Sequence, residues 1–349
     1  MKIAIVNPSD EFEIGIKGGN QLIAESLLKY IKKYTSHEVQ IIHTPSKAYP
    51  NSSLIKSYLM HRLMDFSNFD LVISLKFPSF IIKHNNHICY FAHFYRQFYD
   101  LWPIYKKIIK NHSKKLYFQT ILTKGIIKLL DKRAFKKIKR VYSYSKFIQS
   151  RLKNENINSK LIYCPPPEEN FSCNNYDYIL STSILNDERK RISLLIKAMS
   201  HIKNDTKLLI AGSGPHEKKL KELAKDDSRI IFLGYKTPKE LIDIYSNALC
   251  TCLVSYKEDY GLVTIESMKS KKPVITCYDS GGPLEFVEHN KTGLISNPNP
   301  KDIAKNLEIL INNKKKAKDM GEKGFEKVKD IIWKETIQKL VLNNLQNGR

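Results

Sequence analysis

The sequence predicts an α/β protein built from two tandem, doubly wound domains. Three observations predict it. A length of 349 residues exceeds one ordinary domain of about 100–200 residues. Short β-branched runs alternate with segments long enough to hold crossover helices, the pattern of a parallel sheet covered on both faces. A proline-rich break near the middle is followed by the same rhythm restarting. Hydrophobic residues at 42% and aromatics at 10% supply two cores and exclude a wholly disordered or collagen-like chain.

The first run, residues 2–8 (KIAIVNP), reads as a strand ending in a turn, and residues 18–34 carry apolar positions at helical spacing. The order is strand, glycine loop, helix. Further strands are expected at Val39 to His43, Leu71 to Leu75, Ile88 to Phe91 and Val141 to Ser143. Cys164-Pro165-Pro166-Pro167-Glu168-Glu169-Asn170 cannot propagate a helix or ladder and reads as a stiff linker. Strands are then expected at Tyr178 to Ser183, Lys207 to Ala211, Ile230 to Leu233, Leu249 to Val254 and Pro273 to Cys277. Helices are expected between them at 192–203, 215–225, 238–247 and 262–270, and the charged segment 312–330 reads as a solvated helix. The domains are therefore placed at 1–165 and 166–330, with a C-terminal helix over 331–349 returning to the first.

Charge is the most unusual property: 58 basic residues against 35 acidic, a net +23. Residues 1–170 hold 28 basic and 12 acidic residues, so the excess lies in the first half. Within 105–153 sixteen Lys or Arg face a single acid, Asp131, and are interleaved with Ile108-Ile109, Ile126-Ile127 and Leu129-Leu130. That pattern suits amphipathic helices on an anionic membrane surface. The same excess, mostly lysine, equally fits the compositional bias of an AT-rich genome. No apolar run approaches the roughly 18 residues of a membrane span, and MKIAIVNPSD turns polar too soon for a signal peptide. A cytoplasmic protein, peripheral on the inner face of a membrane if the basic segment binds one, is expected. The six cysteines lack CxxC pairing, and neither HExxH nor Asp-x-Asp occurs, so no metal and no cofactor is expected.

The segment most informative for chemistry is Glu258-Asp-Tyr-Gly-Leu-Val-Thr-Ile-Glu266, which follows a strand and opens a helix. Gly261 frees a sharp turn, the helix start near Leu262 and Val263 offers unpaired N–H groups to an anion, and Glu266 lies about one turn inside. Either glutamate alone reads equally well as an ordinary surface acid. Ala211-Gly-Ser-Gly-Pro215 follows a strand but lacks the third glycine of a dinucleotide fingerprint, with Glu217 in its place.

From Ile179 to about Asp330 the chain resembles the nucleotide-binding half of the family 4 retaining glycosyltransferases of GT-B fold. The resemblance rests on EDYGLVTIE, on Ser267 to Ile275, on Asp279-Ser-Gly-Gly-Pro-Leu-Glu285 and on Lys291-Thr-Gly-Leu294, in that order. It implies that Glu258 holds hydroxyls of the donor sugar, that Glu266 binds the ribose, and that the amides of Gly261, Leu262 and Val263 face the diphosphate. Ser183 to Arg191 matches the segment in which an arginine and a later lysine clamp the donor phosphates. Lys190 fits the lysine; Ile184 stands at the arginine position, leaving Arg189 or Arg191 to replace it. Gly212, and Tyr235 in the Gly234-Tyr235-Lys236 loop, are implied as secondary donor contacts.

In the first domain the resemblance is looser. Gly18-Gly19 fits the family's glycine loop near the donor phosphates, and equally a plain tight turn. Tyr90-Phe-Ala-His93-Phe-Tyr-Arg96-Gln-Phe-Tyr-Asp100 resembles the segment that sets a histidine beside the reacting sugar carbon. His93 is thus implied as a catalytic hydrogen-bonding group, with Arg96 and Asp100 as acceptor contacts. The reading is a metal-independent glycosyltransferase working in an interdomain cleft. GDP-mannose is its first-ranked donor and a UDP-sugar its second. The acceptor is a glycan or lipid-linked hydroxyl, as in mannosyltransferases of lipid-linked oligosaccharide and surface-polysaccharide assembly. The alternatives are a non-catalytic basic protein binding membrane or nucleic acid, for which no nucleic-acid motif is present, and a sugar-nucleotide epimerase.

Overall fold

The computed structural model of the chain describes residues 1–9, 18–47 and 50–346. The chain divides into two units, Met1–Tyr163 with Trp333–Arg349, and Cys164–Ile332. In the first, β1 (Lys2–Ser9) leads to α1 (Gly19–Tyr34), β2 (Glu38–Pro45), α2 (Asn51–Leu63), β3 (Leu71–Ser74) and β4 (His87–Phe91). There follow α3 (Trp102–His112), α4 (Lys114–Phe135), β5 (Arg140–Ser143), α5 (Lys146–Asn154) and β6 (Lys160–Leu161). The sheet is parallel with order β2-β1-β3-β4-β5-β6. Ile3 to Val6 and Leu71 to Ile73 are wholly buried, because helices cover both faces of these central strands, whereas the edge strand β2 keeps Glu38, Gln40 and His43 exposed. Strand order reverses at β1 and β3, so the crevice for a ligand lies past their carboxyl ends.

The second unit contains β7 (Tyr178–Thr182), α6 (Asp187–Lys190), α7 (Ile192–Met199), β8 (Leu208–Ala211), α8 (Glu217–Ala224), β9 (Ile230–Gly234) and α9 (Pro238–Asn247). It continues with β10 (Ala248–Leu253), α10 (Leu262–Lys269), β11 (Val274–Cys277), β12 (Gly293–Ser296), α11 (Pro300–Ile311) and α12 (Lys314–Val328). Its parallel order is β12-β11-β10-β7-β8-β9. Counted within the unit this is the dinucleotide-binding order, with the reversal between β7 and β10. One core runs from Ile179 and Leu208 in the sheet to Leu195, Leu307 and Met320 in the helices.

The last segment belongs to the first unit. Trp333 opens α13 (Trp333–Ile337), is fully buried, and stacks on Tyr30 of α1 with ring centroids 5.0 Å apart and planes 8° from parallel. In α14 (Asn343–Gln346), Asn344 pairs with the Tyr142 hydroxyl, and its carbonyl accepts from Arg140. Truncating a buried tryptophan of this kind costs about 3–5 kcal/mol, so the terminal segment is a strap on the sheet of the first unit.

The basic segment separates its two faces. Ile109 and Ile127 are buried, whereas Ile104, Ile108, Phe118, Leu122, Ile126 and Leu129 are 45–69% exposed. Its one acid, Asp131, points inward and accepts the Tyr99 hydroxyl at 2.5 Å. Burial pushes the Asp131 carboxyl up to about 7, against the opposing hydrogen bond from Tyr99. The exposed face of α3 and α4 is therefore lysine and apolar carbon. Among the described residues no helix is long and apolar enough to cross a membrane.

Candidate functional site

In the second unit three loops leave the carboxyl ends of β7, β10 and β11, and one arginine fastens them. Arg191 follows α6 in a left-handed conformation (φ 52°). Its Nε donates to the Val254 carbonyl at 2.7 Å, and its two Nη atoms reach both carboxylate oxygens of Asp279 at 2.7 and 2.8 Å. A bidentate guanidinium–carboxylate pair fixes orientation as well as distance, so this side chain holds the frame. Of the two arginines that could supply the cation lacking at Ile184, Arg191 is already engaged. The Arg189 side chain is exposed and forms no ion pair among the described residues.

On that frame Glu258 is aimed by backbone bonds. Lys257 N–H donates to the Asp279 carbonyl, Glu258 N–H to that of Ser280 and Gly282 N–H to that of Glu258, a short parallel bridge between the loops. The Glu258 carboxylate meets the Lys190 ammonium at 2.5 Å, both side chains about one-fifth exposed. A cation and a carboxylate thus stand together where an open α/β sheet binds its ligand.

Gly261 caps α10 with φ 79°, a region that L side chains rarely adopt, and a Cβ there would lie 2.9 Å from Pro283. The amides of Leu262 and Val263 follow as the first of the helix, lacking partners inside it. Glu266, one turn on, is 8% exposed and accepts the Tyr245 hydroxyl at 2.7 Å; Tyr245 is in turn 2.8 Å from Thr182 at the end of β7. Burial pushes the Glu266 carboxyl up to about 7, although the Tyr245 bond works the other way. Three hydroxyls here, those of Ser183 after β7, Ser255 after β10 and Thr264 in α10, are buried without a hydrogen-bond partner among the described residues. Buried polar groups are normally paired, so three such hydroxyls at one switch point depart from ordinary packing.

Gly212 is required by packing: its φ is 136°, and a Cβ would stand 1.9 Å from the Ser183 carbonyl oxygen. It lets β8 and the loop after β7 close on each other. Tyr235, beyond Gly234, is 42% exposed and stands beside this edge.

In the first unit Gly18 is the N-cap of α1, and a Cβ on Gly19 would meet nothing within 4 Å. Asn20 reaches the Nε2 of His93 at 3.2 Å, while the His93 Nδ1 is 2.9 Å from the Phe94 carbonyl. A carbonyl accepts only, so Nδ1 carries the proton and Nε2 accepts from the Asn20 amide. The glycine loop and His93 are thereby brought to one place at the end of β4. Arg96 and Asp100 are bound to each other at 2.7 Å, and Asp100 also meets Arg151 at 2.9 Å.

Sequence reasoning did not single out Arg191 as the fastener, nor Tyr245, Thr182, Ser183, Ser255, Thr264 or Asn20. Their residue types are unremarkable, and only the strand order within each unit brings them to its site. Among the described residues no group of three or more His, Cys, Asp or Glu side chains could hold a metal ion.

Two parallel six-stranded α/β units, the second with charged and orphaned polar groups at its switch point, are those of the GT-B fold. Residues 168–327, most of the second unit, match the family model described as glycosyl transferases group 1. It is 35% identical over 162 residues to the poly(ribitol-phosphate) alpha-N-acetylglucosaminyltransferase of Staphylococcus aureus, covering 44% of this chain and 32% of that protein. It is 35% identical over 118 residues to the alpha-1,3/1,6-mannosyltransferase ALG2 of Dictyostelium discoideum, covering 33% of this chain and 28% of that protein. The matches thus span about a third of these relatives. A solved structure of Anabaena HepE in complex with UDP-glucose superposes with a TM-score of 0.72 at 14% identity, covering 99% of this chain and all of that one.

Proposed function

We propose that the protein transfers one sugar from a nucleotide diphosphate sugar to an acceptor hydroxyl with retention of anomeric configuration. The observation that carries this is the Lys190–Glu258 pair set on the Arg191 frame, beside the buried Glu266 and three unpartnered hydroxyls. Such a constellation complements a donor piece by piece. The diphosphate takes the Lys190 ammonium and the amides of Gly261, Leu262 and Val263, and the sugar hydroxyls donate to the Glu258 carboxylate that this releases. The ribose hydroxyls reach Glu266, with Arg189, Gly212 and Tyr235 flanking the nucleotide. When the anomeric C–O bond to phosphate breaks, negative charge grows on the leaving oxygen, where preorganised donors stabilise it most. The acceptor oxygen bonds to the same carbon from the same face and its proton passes to the departing phosphate, so no covalent glycosyl-enzyme forms. We assign His93, with Arg96 and Asp100, to the acceptor side.

The donor ranked first is GDP-mannose and second a UDP-sugar; the mannosyltransferase relative supports the first, and the fold likeness to a protein solved with UDP-glucose supports the second. A thermal-shift screen of GDP, UDP and their sugars tests the reading. A ligand at 100 times its Kd stabilises by about 2.7 kcal/mol, and no shift with any nucleotide overturns it.

A peripheral membrane role is supported by a separate observation. Ile108, Phe118 and Leu122 stand exposed on the two helices that carry Lys106, Lys107, Lys110, Lys114 and Lys115. Apolar carbon ringed by lysine suits the boundary of an anionic bilayer, and with it a lipid-linked acceptor glycan.

A further inference from the structure

Beyond the donor site, the first unit holds a cavity of about 310 Å³, of the size that small-molecule sites occupy, with His93 on its wall. Its wall contains four cations, Arg96, Lys124, Lys128 and Arg151, against two carboxylates, Asp100 and Glu155. The carboxylates are already taken. Asp100 lies between Arg96 and Arg151, and Lys128 meets Glu155 at 2.9 Å. Lys124 is left with no ion pair or hydrogen bond among the described residues; its ammonium lies 4.0 Å from the centre of the Trp102 ring. Burial, together with repulsion from Lys128 and Lys106, holds the Lys124 pKa below its ordinary value, against the pull of Glu155. A cation kept charged in such surroundings is relieved by an anion. Most of the rest of the wall is aromatic, with Phe94 and Tyr99 stacked at 4.2 Å.

We propose that this cavity binds a phosphate monoester carried by a sugar or polyol, as part of the acceptor. The wall has a net charge of +2, which matches a phosphate monoester of charge about −1.5 to −2 at neutral pH better than a carboxylate or a diester. Lys124 takes the phosphate as a point charge. The guanidinium pair around Asp100 supplies further positive charge, and the aromatic surfaces pack the C–H faces of the carbohydrate. Because His93 lines the same cavity, the bound ester stands next to the residue assigned to the acceptor side. The inference rests on the glycosyltransferase reading for the word acceptor, but the binding itself does not.

The experiment titrates sn-glycerol 3-phosphate, with neutral glycerol as control, into the full chain by calorimetry. The titration is made with and without the nucleoside diphosphate that gives the largest thermal shift, so that the donor site is blocked. Binding of the ester but not of glycerol, with or without nucleotide, is expected. Lys124→Gln should weaken it about tenfold or more, the loss of one charge-assisted contact, while Lys124→Arg keeps it within a few-fold. Lys190→Gln should leave ester affinity unchanged, and Lys124→Gln should leave nucleotide affinity unchanged. Equal binding of ester and glycerol, or an unchanged affinity in Lys124→Gln, overturns the proposal. A chain that binds the ester through Lys124 but no nucleotide instead overturns the glycosyltransferase reading alone.

Discussion

Glu266 couples the second unit to pH. Burial raises its carboxyl from an ordinary 4.5 to about 7. A raised acid means that the fold prefers the protonated form. The stability is fully present below pH 4.5 and is lost as pH rises through 7. At 1.36 kcal/mol per pKa unit the loss is about 3 kcal/mol. A ribose whose hydroxyls donate to this carboxyl reverses the preference, since the ionised form accepts more strongly. At pH 6 about one free protein in ten has Glu266 ionised, and at pH 8 about nine in ten. If the bound carboxyl returns to its ordinary range, donor affinity should rise about tenfold between those values, with one proton released on binding at pH 6. Calorimetry with a nucleotide sugar measures both, because its phosphates are diesters with no proton to lose in this range. Glu266→Gln should abolish the slope and weaken binding at pH 8 by about 1.5–3 kcal/mol. A flat wild-type profile, or a slope that persists in Glu266→Gln, would refute the assignment.

Glu258→Gln should mainly lower kcat, because the contact proposed is with the sugar in transfer; steady-state kinetics at saturating donor reads this, and a wild-type rate removes Glu258 from the reaction. Gly212→Ala sets a Cβ 1.9 Å from the Ser183 carbonyl at a φ of 136°. It should destabilise the second unit by about 2 kcal/mol or more, seen as a lowered denaturant midpoint. Replacing Lys106, Lys107, Lys110, Lys114 and Lys115 together with Gln should release the protein from anionic vesicles in a sedimentation assay and leave nucleotide affinity intact. Each lysine near such a surface contributes about 1 kcal/mol, and equal sedimentation of both proteins would favour compositional bias.

How much was legible follows from how local each signal is. The alternation of β-branched runs and crossover segments is local, and both parallel sheets follow it. The turn at Gly261 and the helix from Leu262 are local too, since a glycine shortly after a buried strand and a following run free of glycine and proline announce them. The sequence marks α2 only by its length, because NSSLIKSYLMHRL mixes polar and apolar residues with no clean stripe. The Arg191–Asp279 fastener joins residues 88 apart, so a cation read as a phosphate ligand or its substitute turned out to hold the frame. The burial of Asp131 was equally hidden, because a lone acid among sixteen cations looks solvated until Tyr58 and Tyr99 are seen to enclose it. Orphaned hydroxyls such as Ser183 and Thr264 carry no signal in a sequence at all, since being unpaired is a property of the fold.

The most direct test of the central claim, a nucleotide-sugar site at the carboxyl edge of the second sheet, is hydrogen exchange with and without the donor that gives the largest thermal shift. Bound diphosphate should protect the amides of Leu262 and Val263 and slow exchange across 183–191 and 255–264, where Lys190 and the unpartnered hydroxyls lie. Tight binding that leaves those two segments unchanged while protecting others would contradict it.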